Sequence, residues 1–313
     1  MEDRGIMGGA HPFAKLILLI ILALLGLFVI LILGMLAAIP IFGNEISGII
    51  LRGETIDLTQ NLNFTRYFQI LSHLGLFVIP SLVFAILVGR RPMLYLKGSR
   101  SPLLFSLLLS AFIMVATLPL VNYLMELNMH FALPQWLGGV EEWMRRTEKT
   151  AAEATKMFLE VTTYQALLFN IFMIAIIPSI GEEFIFRGVV LRLFRQWSGS
   201  LHVAVWVSAI LFSAMHMQFF GFLPRLFLGL VLGYMFVWSR NIWVPVFAHF
   251  FNNAAAVVLY FLNHNAIINI EIEKVGLGAQ GALWAVLSLL VLVFLFVIFK
   301  KLEAGQKTRL SFD

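Results

Sequence analysis

The chain has 313 residues, of which 60% are apolar, 12% are charged and none is cysteine, and its formal net charge is +5. That balance belongs to polytopic membrane proteins and excludes a disulfide framework or a thiolate metal site. Nothing in the basic surplus points to nucleic acid, because its distribution among short loops follows a membrane topology.

Apolar runs near the length that crosses a bilayer, about 20 residues each, lie in chain order at 15–39, 67–89, 103–125, 161–180, 201–217, 225–239, 242–262 and 281–299. They predict an all-α polytopic bundle of about eight transmembrane helices with both termini inside. The first run is too long for a signal peptide and lacks a small-residue cleavage site, so it reads as a retained helix. The loop 40–66 reads as an extracytoplasmic turn. With the termini inside, Arg90, Arg91, Lys97, Arg100, Arg187, Arg192, Arg195, Arg240, Lys300 and Lys301 face the cytoplasm, with Arg4, Lys15, Lys307 and Arg309 near the chain ends. The opposite side mixes Arg52, Arg66, Arg145, Arg146, Lys149, Lys156, Arg225 and Lys274 with most of the acids. This charge asymmetry is the positive-inside pattern of a membrane protein, and a prokaryotic cell membrane is the expected location.

The segment 126–160 differs from the rest. Trp143 and Met144 alternate with charges at roughly helical spacing, which fits either an amphipathic helix on the outer surface or a solvated connector. No internal repeat is visible. The chain divides into N-terminal helices with this segment (1–160), a core rich in polar groups (161–262), and a last helix with a cytoplasmic tail (263–313). The end of the chain, AGQKTRLSFD, reads as a frayed terminus.

Glu182 and Glu183 stand side by side in IPSIGEEFIFRGVVLRLF. An ionised side chain near a bilayer centre costs roughly 2.5–3.5 kcal/mol even on the lenient insertion scale, so two together need a partner or a task. At about 100° per residue, Glu183 and Arg187 share one helix face while Glu182 points elsewhere. Arg187 therefore pairs with Glu183, and Glu182 is left to face a cavity. The competing reading makes Ser179 and Glu182 a capping box at a helix start. Two more polar sites follow: His216, one turn after Phe212, and His249, one turn before Asn253. Gly229 and Gly233 read as a helix-packing face. His11, His73, His130, His202 and His264 lie near loops or span ends and receive no role.

Amide hydrolysis needs a group that takes a proton from water and donors for the oxyanion. Glu182 fits the base, His216 the orienter of the same water, and His249 with Asn253 the oxyanion donors. Serine catalysis fits less well, since no G-x-S-x-G elbow is present. Zinc held by Glu182, His216 and His249 would leave one position open. The absence of H-E-x-x-H, and the redundancy of Asn253 in such a site, favour chemistry without cofactor or metal. A non-proteolytic scaffold, in which the polar cluster holds helices together, is the main alternative. A proton-coupled transporter is a third, disfavoured by the lack of a matching second half.

Glu182-Glu183-x-x-x-Arg187, Phe212-x-x-x-His216 and His249-x-x-x-Asn253, in this order on successive membrane helices, resemble the three motifs of the CAAX protease and bacteriocin-processing family. The intervening FLGLVLGYMFVWSRNIWVPVFAHFFNN is similar too, and the resemblance covers roughly residues 165–260. It implies an eight-helix fold and an intramembrane glutamate-type endopeptidase, related to CAAX prenyl protease 2, acting from the cytoplasmic side on a membrane-associated peptide or protein. Glu182 and His216 would activate water, His249 and Asn253 would bind the oxyanion, and Glu183 with Arg187 would complete the first motif. The four-residue spacing selects Asn253 over Asn252. Family members range from proteases of prenylated tails to bacteriocin-immunity factors, so the resemblance names no substrate.

Overall fold

The computed structural model describes residues 5–52, 61–131 and 133–309. Arg4 and the stretch 53–60 of the expected outer turn lie outside the described residues. No strand occurs among the described residues. The long helices are α1 (Pro12–Arg52), α2 (Leu62–Gly89), α3 (Leu104–Met129), α4 (Gly138–Leu159), α5 (Tyr164–Ser198), α6 (Leu201–Met215), α7 (Phe222–Ser239), α8 (Trp243–His264) and α9 (Gly281–Arg309). Among the described residues, seven helical segments are long and apolar enough to cross a membrane, and α6, of 15 residues, is the shorter apolar helix in the fifth position. The protein is a polytopic helical membrane protein, with seven of the eight expected spans at full length.

Local chemistry sets the helix ends. Asn61, Thr163 and Ser200 each accept a hydrogen bond from an amide in the first turn of α2, α5 and α6, at 3.1, 3.3 and 3.4 Å. Those amides have no partner within the helix, so the caps fix where each helix begins. Gly199, at φ +67°, ends α5 in the left-handed region that a Cβ disfavours.

Prolines shape the interiors. Wide π turns at Leu74–Val78 and Ile171–Ile176 lie just before Pro80 and Pro178. Proline has no N–H to give and its ring presses on the preceding turn, so the helix widens there instead of breaking. In α1, Pro40 is followed by a kink at Phe42, and the helix resumes to Arg52. The outer turn expected from residue 40 is thus helical in its first part.

Two other limits depart from the apolar runs. Helix α5 continues past residue 180 to Ser198, because every residue from Gly181 to Leu191 is buried and meets protein instead of lipid. Helix α9 continues through the tail to Arg309, where fraying was expected. The capping box is also not formed. Ser179 lies inside α5 and donates to Ile176 O at 2.9 Å, the back-bond of a helix interior.

Helix α5 is central. Phe184, Val189, Leu193 and Leu96 form one core with Ala204 and Val205 of α6 and Phe236 of α7. A second core joins Ile113 of α3, Leu232 and Met235 of α7, Ala248 of α8 and Phe299 of α9. Small residues permit the closest crossings. A Cβ at Gly229 would sit 3.0 and 3.1 Å from Ala209 Cβ and Cα, and one at Gly233 would sit 3.0 Å from Val205, so both glycines pack α7 on α6 as expected. Apolar side chains of α1 and α9, such as Phe28 and Phe294, face outward where acyl chains would lie.

Helix α4 is more than a connector. Trp143 packs on Phe219 with ring centroids 5.2 Å apart, the Arg145 guanidinium lies over the Phe220 ring at 4.7 Å, and Glu148 accepts from Phe220 N at 3.2 Å. It therefore seats on the turn between α6 and α7. Its free face is held by local pairs such as Arg145–Glu141 at 2.7 Å, and bonds from Arg145 and the Leu133 amide keep the Glu141 carboxyl below its usual range.

Candidate active site

Helices α2, α5, α6, α7 and α8 meet around Glu182. Glu183 and Arg187, both 0% exposed, form the anchor of this meeting point. Arg187 Nη1 donates to Glu183 Oε1 at 2.7 Å, and Nη2 donates to Gly229 O on α7 at 3.1 Å. The guanidinium also lies 4.6 Å above the Phe212 ring of α6. Glu183 Oε1 takes a second bond, from His249 Nδ1 on α8 at 2.9 Å. One ion pair thus ties α5 to α6, α7 and α8. The expected Glu183–Arg187 pairing is present, and the bond to His249 is an addition that sequence spacing did not suggest.

These bonds dictate tautomers. A carboxylate only accepts, so His249 carries a proton on Nδ1 and turns Nε2 toward Glu182. His216 Nδ1 lies 2.8 Å from Phe212 O, and a carbonyl likewise only accepts, so in neutral His216 the lone pair is on Nε2. Phe212 steers both rings, with centroids 5.1 Å from His216 and 5.8 Å from His249.

Glu182 is 6% exposed and its Oε2 is buried without a hydrogen-bond partner. That oxygen lies 4.0 Å from His216 Nε2 and 4.0 Å from His249 Nε2. Both separations exceed a direct hydrogen bond but suit one small group shared by the three. Glu182 borders a cavity of about 190 Å³ together with His216, His249, Asn252, Asn253 and Arg225. All four residues expected to carry chemistry therefore border a single cavity. Asn252 lines it as well, and donates to Asn253 Oδ1 at 3.3 Å while Asn253 Nδ2 donates to Ile174 O at 3.3 Å.

Two residues escaped the sequence reading. His73 on α2 places Nε2 3.5 Å from Glu182 Oε1, and Gln69 Nε2, an amide donor, lies 3.3 Å from His73 Nδ1. Gln69 thereby leaves the ring proton on Nε2, aimed at Glu182. The signal was present, since Gln69 and His73 are one turn apart, as His249 and Asn253 are. Arg225 is the second: it borders the cavity while its guanidinium bonds the Gln218 carbonyl and side chain.

Beyond Glu182 the helix is buried from Gly181 through Leu191, with Gly188 set against Leu96. A cleft of about 550 Å³ at the basic end is lined by Ser99, Arg100 and Pro102 and reaches Ile176, Ser179 and Ile180 of α5. The edge formed by His216 and Arg225 lies beside the turn that α4 covers.

As to metals, among the described residues no group of three or more His, Asp or Glu side chains is arranged to hold an ion. The Arg225 guanidinium borders the same cavity and would oppose a dication there.

Breaking the ion pair should be costly, because it strands a charge in a fully buried position. Arg187→Ala is expected to lose about 3–5 kcal/mol. Its thermal unfolding in detergent should fall well below that of Glu182→Gln, and equal midpoints would contradict the division between anchor and cavity residue.

Comparison with known proteins locates this constellation. Residues 164–255, less than a third of the chain, match the family model described as Type II CAAX prenyl endopeptidase Rce1-like. The chain is 31% identical over 103 residues to the membrane-embedded CAAX protease MroQ of Staphylococcus aureus (strain USA300), covering 31% of this chain and 41% of that protein. It is 26% identical over 108 residues to the putative membrane peptidase YdiL of Bacillus subtilis (strain 168), covering 34% and 43%. The alignments span about two fifths of the length of these relatives. No solved structure matches the chain. The matched stretch contains the Glu182, His216, His249 and Asn253 motifs and excludes His73.

Proposed function

We propose, with the match to Rce1-like endopeptidases as premise, that this protein is an intramembrane endopeptidase in which Glu182 activates water against a peptide bond of a membrane-associated substrate. The observation that carries the reading is Glu182 Oε2, buried and unpartnered, 4.0 Å from the Nε2 atoms of both His216 and His249. Glu183 Oε2 is also buried without a partner, but Glu182 borders the cavity and Glu183 does not.

In the proposed reaction, a water held by Glu182 and His216 Nε2 gives its proton to Glu182 as its oxygen adds to the carbonyl carbon. The oxyanion that forms takes hydrogen bonds from His249 and Asn253 Nδ2. His249 already spends Nδ1–H on Glu183, so donation from Nε2 requires the imidazolium, whose charge Glu183 and Glu182 offset. The C–N bond then breaks and the proton on Glu182 passes to the leaving amine. His73 acts through Glu182, holding Oε1 so that Oε2 stays toward the water.

Glu182→Gln should abolish cleavage while leaving a folded, inserted protein, a loss of order 100- to 10,000-fold. Profiling of new N-termini in membranes from cells expressing wild type or variant provides the assay and identifies the substrate at the same time. His73→Leu should lower product formation, and His73→Gln, which keeps a donor, should recover part of it. Cleavage that persists in Glu182→Gln would favour the scaffold reading.

The chemistry is proposed to need no metal, since Asn253 serves as an oxyanion donor and Arg225 places positive charge in the cavity. Activity should survive dialysis against a strong chelator. Loss restored by zinc alone would recast Glu182, His216 and His249 as ligands.

We place the basic end of the bundle in the cytoplasm, from Arg90, Arg91, Lys97, Arg100, Lys300 and Lys301. Approach to the cavity is proposed along the edge made by His216 and Arg225, in place of the cytoplasmic approach expected from the sequence. The chain has no natural cysteine, so single-cysteine labelling has no background. Ser99→Cys, exposed at the basic end, should react with an impermeant thiol reagent in inside-out vesicles only. Gly139→Cys, exposed on α4, should react in intact cells only. The reverse pattern would turn the molecule over.

A further inference from the structure

A second polar cavity, of about 470 Å³, lies at the basic end of the bundle. Lys97, Arg192, Arg195 and Arg240 line it together with Gln196, and none of its lining residues is acidic. Arg192 belongs to the same helix as Glu182, ten residues on, and so lies about 15 Å away along the axis. The cavity is separate from the proposed catalytic one and shares no lining residue with it.

The positive-inside rule explains a surplus of cations at this end. It does not explain their convergence. Exposed basic side chains that merely report topology would splay apart, and these are held together by the backbone. Ile242 N donates to Lys97 O at 3.1 Å, which fastens the loop carrying Lys97 to the turn carrying Arg240. Lys97 and Arg240 both adopt left-handed backbone, at φ 63° and 52°, where glycine or asparagine would be less strained. Arg192 stacks on the Tyr95 ring, with its guanidinium carbon 4.0 Å from the centroid, and its Nη1 is buried without a hydrogen-bond partner. Desolvation, followed by the charges of Arg192, Arg240 and Arg100, holds the Lys97 ammonium below its usual range. The group is a set of repelling cations, one with a spare donor, around a hollow.

We infer that this hollow binds a phosphate group, and that its source is the headgroup of an anionic phospholipid in the cytoplasmic leaflet. Guanidinium groups match the geometry of phosphate oxygens, and basic pockets between membrane helices on the cytoplasmic side are suited to lipid headgroups. The remaining wall decides between a lipid and a free phosphate. Leu201, Phe236 and Val237 form an apolar side against the cations, as a ligand with both a phosphate and an acyl chain requires. Lipid binding here does not depend on the proposed proteolysis, and its test needs no substrate.

The test uses the full-length protein in a neutral detergent, with thermal unfolding followed during titration. The probes are short-chain phosphatidylglycerol, short-chain phosphatidylcholine and inorganic phosphate. Phosphatidylglycerol should raise the unfolding temperature saturably. The double variant Arg195→Gln/Arg240→Gln should need at least about tenfold more of it. Both positions are exposed, so the variant avoids the packing role of Arg192. Lys300→Gln/Lys301→Gln removes two cations from the same end but outside the cavity, and should titrate like wild type. Saturation by inorganic phosphate at equal concentrations, lost in the same Arg variant, would keep the phosphate site and replace the lipid with a soluble ion. Equal stabilisation by phosphatidylcholine, equal weakening in both double variants, or no saturable response to any probe would overturn the proposal.

Discussion

The ion pair between Glu183 and Arg187 organises the interior of this bundle. Moving two charges out of water costs several kcal/mol per ion, which their attraction and further hydrogen bonds must offset. Here one turn of α5 spaces the two groups, Gly229 O takes a second guanidinium N–H, and His249 donates to the same carboxylate oxygen as Arg187, while Glu183 Oε2 and Arg187 Nε have no hydrogen-bond partner. Each of those bonds is also a constraint on a helix. Gly229 can present its carbonyl because, lacking a side chain, it lets α7 lie close on Ala209. The pair therefore sets the packing of α6, α7 and α8 as well as the charge balance.

From that anchor the cavity acquires its asymmetry. Adjacent carboxylates diverge by about 100° on a helix, so one is consumed by structure and the other emerges into the cavity. The histidines facing Glu182 are oriented by groups that belong to structure, Glu183 for His249 and the Phe212 carbonyl for His216. A site assembled this way needs little reorganisation to act on a bound group, which is what electrostatic preorganisation requires. His73 adds a restraint on Glu182 from the first half of the chain, outside the segment that matches the family model.

The two ends of the bundle are shaped by different demands. At one end α4, through Trp143, Arg145 and Glu148, seats on the turn following His216. At the other, cations converge between α5, α7 and the loop that carries Lys97. The buried stretch from Phe184 to Leu191 lies along α5 between Glu182 and Arg192. Burial along this stretch is also why α5 can run far beyond its apolar portion.

How much of this was legible in the sequence follows from which signals are local. Apolar runs reported the spans, since bilayer thickness imposes length directly on the chain. Four-residue spacing reported the Glu183–Arg187 pair and the shared faces of Phe212 with His216 and of His249 with Asn253, because helix geometry is the same wherever the helix lies. The glycines of α7 announced a close crossing for the same reason. Helix ends were less legible: α5 outruns its apolar stretch because burial in protein, not hydropathy, sustains it, and α9 continues past Phe299 although Lys300, Lys301, Ala304 and Gly305 are exposed. The bond from His249 to Glu183, the position of His73 beside Glu182 and the seating of α4 join residues far apart in the chain. No periodicity carries such information, because those contacts depend on how helices are placed against one another, and only the tertiary packing decided them.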